Sequence, residues 1–152
     1  MTSTYRFSLI LFFVNLLFFS GVAHGQNRNV AYFSNGKDAA SKNFVAYSFS
    51  TINGKRSVIN SYGSKMGRML VIKYLGKTKT RKGFRVKSPN GTTLQIFPIG
   101  KRLKIYNERT IKTSWLSWMY MGPVDGVGTW CDSCIQEPLP AVRFVRKYFV
   151  LN

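Results

Sequence analysis

Apolar and polar residues alternate with a period of two through much of this chain, and that period leaves little choice of secondary structure. In Gly83–Lys87, Phe84 and Val86 fall opposite Arg85 and Lys87; in Thr93–Phe97, Leu94 and Ile96 fall opposite Gln95; in Arg102–Tyr106, Leu103 and Ile105 fall opposite Arg102 and Lys104. Successive side chains of a strand point to opposite faces, whereas a helix repeats every 3.6 residues, so these runs read as half-buried strands. Burying the apolar set gathers the cations on the other face.

The connections carry matching turn chemistry. Ser88–Gly91 (SPNG) offers a proline that presets φ and two residues that accept the left-handed region. Asn53-Gly54 joins Phe44–Ile52 to Lys55–Tyr62 with the dipeptide best suited to a two-residue hairpin. Further strand candidates are Asn29–Ser34, Gly67–Gly76, Ile111–Met121 and the closing run Ala141–Leu151. Ser34–Asn43 reads as a loop and is the only stretch beyond the leader with room for a short helical turn. The sum is an all-β domain, a small antiparallel meander or closed barrel of about 8–10 strands. Closure hides the sheet edges, and hairpin follows hairpin without long crossings, so a barrel is preferred to the alternative, a two-sheet sandwich.

Residues 1–25 stand apart as an export signal: Arg6 is the one charge before the apolar run Phe7–Ser20, and Gly21–Gly25 ends in a small-x-small cleavage pattern. The run is shorter than a membrane-spanning helix and is interrupted by Asn15, so cleavage after Gly25 is expected. A single β domain of residues 26–152 remains, secreted or periplasmic, with no integral membrane span after processing. It holds 22 Lys and Arg against five acids, a formal charge of +17. Between Asp38 and Glu108 there are fifteen cations and no carboxylate. A block of that kind must repel itself, be screened by salt, or meet an anion. The aromatic and branched residues threaded through it argue against disorder.

Catalytic candidates are few. The expected mature chain has no histidine, since His24 belongs to the leader, which removes the usual neutral-pH acid and base and the commonest nitrogen ligand. The five acids are scattered, with Asp125, Asp132 and Glu137 in a turn-rich segment. No catalytic residue, metal site or cofactor is therefore assigned. Cys131 and Cys134 could form a local disulfide or a redox pair. The disulfide is preferred, because an exported protein meets oxidising conditions and because the prolines of the following segment IQEPLP are expected to bar the helix that would activate the first sulfur.

The function expected from these features is a basic binding module for a polyanionic partner: an acidic polysaccharide, an anionic envelope surface or extracellular nucleic acid. An acidic secreted protein would answer to the same charge. The candidate contact residues are Lys73, Lys77, Lys79, Arg81, Lys82, Arg85, Lys87, Lys101, Arg102 and Lys104, with Trp115, Trp118, Tyr120 and Trp130 as rings on which sugars or bases could stack. A stacking role requires at least one ring exposed beside the cations. The alternative is a barrel that binds an apolar small ligand in its interior; a thiol-disulfide oxidoreductase using Cys131 and Cys134 ranks below both. Asn90-Gly91-Thr92 is an acceptor for N-glycosylation if the exporting cell is eukaryotic.

Overall fold

The structure is a computed structural model and describes residues 29–64, 67–120, 131 and 133–152. The expected leader, Trp130, Asp125 and Asp132 lie outside these residues. Eight strands run β1 (Asn29–Ser34), β2 (Val45–Ile52), β3 (Lys55–Tyr62), β4 (Arg68–Lys77), β5 (Phe84–Lys87), β6 (Thr93–Ile99), β7 (Arg102–Asn107) and β8 (Lys112–Trp118). Each pairs antiparallel with its neighbour in sequence, and β8 returns to β1, so the sheet is a closed barrel and not a sandwich. The hairpin logic is visible in the backbone: Asn53 and Gly54 take φ of 49° and 76°, the left-handed pair that a two-residue hairpin needs to follow strand twist.

Closure is brief. Strands β1 and β8 share two residue pairs, Phe33 with Trp118 and Ser34 with Ser117. Beyond them the edge of β1 is taken by the segment around Cys134, where the Val30 amide donates to the Ser133 carbonyl at 2.9 Å and the Ile135 amide to the Val30 carbonyl at 2.8 Å. Cys131 and Cys134 form a disulfide, and Cys134 is buried against β1.

The core lies inside the barrel. Alternation sends Phe33, Phe49, Val58, Ile72, Phe84, Val86, Ile96, Leu103 and Leu116 inward, all buried. Tyr47 joins them, and burial pushes its hydroxyl up to about 12. The space these leave at one end is filled from the C-terminus, and here the chain departs from its expected form.

Ala141–Leu151 is not a strand. Helix α1 spans Pro138–Val145 and continues as a π-helical segment, Arg146–Leu151. The physical reason is in the spacing: the buried residues are Ala141, Val142, Phe144, Val145, Phe149 and Val150, which recur at helical intervals of three and four, while Arg143, Arg146 and Lys147 fall on the opposite stripe. The prolines, read as barring a helix, instead open one. Pro138 occupies its first turn, where a missing N–H costs no hydrogen bond, and Glu137 before it is extended with φ −137° and ψ 145°. The cysteines nevertheless precede the helix, so neither sulfur sits at its N-terminus. No helix among the described residues is long and apolar enough to cross a membrane.

The helical segment plugs the barrel. Phe149 is fully buried, with its ring centroid 5.2 Å from Phe84, 5.6 Å from Phe49 and 6.0 Å from Tyr74. Side chains of the barrel rim accept the last turns by their carbonyls: the Tyr74 hydroxyl donates to Phe149 O at 2.9 Å, Lys77 Nζ to Leu151 O at 3.0 Å, and Arg56 Nε to Tyr148 O. In return Arg146 Nη2 donates to Pro98 O at 2.9 Å. These contacts satisfy carbonyls that a helix end leaves without intrahelical partners.

Candidate functional site

Strand register sorts the ten candidate cations into two groups. The first lies on the outer face of the sheet. Lys73 of β4 stands directly opposite Lys87 of β5, and both are exposed. Two strands on, a cross-strand row runs from Phe97 of β6 through Lys104 of β7 to Trp115 of β8. Trp115 is 44 % exposed, so a large ring stands beside a cation on the solvent side. Arg102 lies on the same face, one step toward the plugged end, opposite Ile99 and Ser117.

Arg85 belongs to this face by position but is already engaged. Its Nε and Nη2 donate to the two carboxylate oxygens of Glu108 at 2.9 and 3.0 Å, and Gln95 Nε2 adds a third bond to Glu108 at 3.0 Å. The bidentate bond from Arg85 holds the Glu108 carboxyl below the usual carboxylate range and raises the Arg85 guanidinium. The acid that closes the carboxylate-free block thus returns to neutralise one member of it. The face is not cationic throughout, either: on β4 the outward residues next to Lys73 are Val71, Met69 and the bulged Leu75, at 71 %, 70 % and 41 % exposure.

The second group gathers at the plugged end. Because strands alternate in direction, the β2–β3 turn, the β4–β5 loop and the β6–β7 turn share that end. Lys79, Arg81 and Lys82 come from the loop and Lys101 from the β6–β7 turn, all exposed. Lys77, opposite the inward-facing Phe84, is bound at the rim to the helix carbonyl. Arg143, Arg146 and Lys147 join from the helical stripe. Those three had no place in the expectation because their segment was read as a strand; the i, i+3, i+4 spacing of 143, 146 and 147 was the available signal.

The β4–β5 loop is a built structure. The Thr78 amide donates to Gly83 O at 2.9 Å, the Thr78 hydroxyl lies 3.2 Å from both the Gly83 carbonyl and the Gly83 amide, and the Arg81 amide donates to Thr78 O at 2.9 Å. Gly83 lets the loop rest on β6: a Cβ there would lie 2.5 Å from Ile96 O and 2.6 Å from Phe97 Cδ1. Arg81 is held at φ 54°, a left-handed conformation uncommon for a side-chain-bearing residue. Beside this loop opens a cleft of about 470 Å³, lined among others by Arg81, Lys82, Phe97, Ile99, Arg146 and Leu151.

The remaining rings take different positions. Trp118 packs against the core, its Nε1 donating to Ile135 O at 3.1 Å, with Tyr120 edge-on at 6.2 Å between centroids. Tyr120 itself is half exposed. Asn90 sits in its surface turn, where Oδ1 accepts from the Thr92 amide at 3.1 Å.

These features define the class: a small closed antiparallel barrel plugged by a C-terminal helix, with ordered basic surfaces on its outer wall and at its plugged end. No protein-family model, curated protein or solved structure matches the chain.

Proposed function

We propose that the protein is an exported binding module for polyanions, engaging them through the outer face of β4–β8 and the β4–β5 loop. The observation that carries this reading is the row Phe97–Lys104–Trp115, a cation between two rings with the tryptophan open to solvent. A repeating anion offers charges to the lysines and flat faces to the ring, and stacking of this kind tolerates many sequences of sugars or bases. Lys73 and Lys87 add to it. Like charges directly opposite on a sheet disfavour the free protein by a few tenths of a kcal/mol, and a bound anion would relieve that repulsion. Arg85 is left out of the contact set because Glu108 already holds it.

Binding inside the barrel finds less support. Phe33, Phe49, Phe84 and Phe149 occupy the interior with neighbouring centroids 5.2–6.0 Å apart, so an apolar ligand would have to displace the plug. Thiol exchange is likewise less supported, since among the described residues the helix begins after both cysteines and neither sulfur lies at its N-terminus.

Binding to immobilised heparin and to a fluorescent oligonucleotide, followed across salt concentrations, tests the proposal. Affinity should fall steeply with salt, and the combined K73E/K87E/K104E variant should lose most of it while keeping the wild-type melting temperature within a few degrees. Trp115 emission should shift on binding and the shift should vanish at high salt. Undiminished binding by the triple variant, or no binding at low salt, defeats the reading.

A further inference from the structure

The cleft beside the β4–β5 loop is a concave site whose largely apolar lining includes three cations, whereas the exposed Val71, Met69 and Leu75 lie on the open wall of β4. Ile99 and Leu151 are 46 % and 65 % exposed, side by side with Arg81, Lys82 and Arg146. A purely ionic partner gives no return for exposing these two aliphatic side chains. A partner that is charged at one end and greasy at the other satisfies both halves of the site. Its volume falls in the range of pockets that enclose a small ligand, about 300–1,000 Å³.

We infer that the plugged end of the barrel docks on an anionic phospholipid surface, with a lipid phosphate held by Arg81, Lys82 and Arg146 and with Ile99 and Leu151 entering the acyl boundary. This rests on the polyanion reading and narrows it at this end to a membrane. The groups are held in place before contact: Arg146 is anchored to Pro98 O at 2.9 Å, and the Thr78–Gly83 bonds fix the turn that carries Arg81 and Lys82. Cations next to exposed aliphatic side chains are the combination by which peripheral proteins hold a membrane, because Coulombic attraction to the headgroups and apolar burial act together. The neighbouring exposed cations Lys79, Lys101 and Arg143 extend the attraction without entering the cleft.

The test uses the full exported chain and vesicles of phosphatidylglycerol and phosphatidylcholine. Wild type should float with mixed anionic vesicles and not with phosphatidylcholine alone. The R81Q/K82Q variant should bind about twenty-five-fold more weakly, at roughly fivefold per cation removed. The I99S/L151S variant should bind at least about tenfold more weakly, yet retain wild-type affinity for soluble heparin. Ile99→Trp should fluoresce more intensely on binding and be quenched by lipids brominated on their acyl chains. If I99S/L151S binds vesicles as wild type does, or the introduced tryptophan escapes quenching, the membrane inference falls and the polyanion reading stands. Loss of heparin and vesicle binding together in wild-type protein overturns both.

Discussion

Replacing Phe149 by alanine tests whether the C-terminal segment plugs the barrel or merely rests against it. The phenyl ring is fully buried among rings from three different strands, Phe49 of β2, Tyr74 of β4 and Phe84 of β5. Those strands are fixed by the closed sheet, so the surroundings have little freedom to collapse into the vacated space. Truncating a buried phenylalanine costs about 3–5 kcal/mol, with the upper part of that range belonging to sites that cannot relax. We therefore expect a loss of about 4 kcal/mol, a large part of the 5–15 kcal/mol typical of a whole domain. In urea this should move the midpoint by about 2 M at an m-value of about 2 kcal/mol/M. Phe149→Leu, which keeps most of the volume, should cost about 1.5 kcal/mol or less. Circular dichroism and tryptophan emission through a urea titration supply both numbers. A loss below about 1 kcal/mol for the alanine variant would refute the plug, because no buried phenylalanine in a rigid cage is that dispensable.

Three further outcomes follow from local geometry. Gly83→Ala places a methyl group against a backbone carbonyl that cannot swing away, so it should destabilise by about 1–3 kcal/mol in thermal melts; an unchanged melting temperature would mean that the loop does not rest on β6. Glu108 has its folded-state pKa depressed by Arg85, so its contribution is present above the unfolded value and is lost as pH falls through the folded one. Melting curves from pH 6 down to pH 2 should show an acid-side loss that Glu108→Gln abolishes. Tyr47 has the opposite sign, its folded pKa of about 12 lying above the ordinary 10.0, so the stability it contributes is whole below pH 10 and disappears as pH rises toward 12. Tyr47→Phe should flatten that alkaline limb, and equal alkaline sensitivity in both proteins would contradict the burial.

Much of the barrel was legible in the sequence because β5, β6 and β7 bury alternate residues, while β1 and β2 bury neighbouring residues on both faces. Phe84, Val86, Leu94, Ile96, Leu103 and Ile105 all point inward as their alternation predicts, and Asn53-Gly54 makes the expected turn. The C-terminus was not, since a short amphipathic helix with paired apolar residues, Ala141-Val142 and Phe144-Val145, also resembles a buried strand when read for hydrophobicity alone. Proline at a helix start misled the reading in the same place. Within the candidate surface, alternation placed Lys87, Arg102 and Lys104 on the outer wall but did not say which of Trp115 and Trp118 faces outward. Pairing between distant residues was beyond it: Arg85 and Glu108 are 23 positions apart, and nothing local marks them as partners. The cleft was equally hidden, because it arises where a loop, a strand end and the helix converge.

The brief join between β1 and β8 makes the barrel unequal around its circumference. A cylinder held by four to eight residue pairs at every other join has two at this seam, and the strip containing Cys134 adds two backbone hydrogen bonds beside them. Thermal breathing should start there, with the amides around Ser34 and Ser117 exchanging with solvent before those of β2, β3 or β6. The three-residue sulfur link does little to the entropy of the unfolded chain. Its consequence is mechanical: it fastens the strip that keeps the cylinder shut.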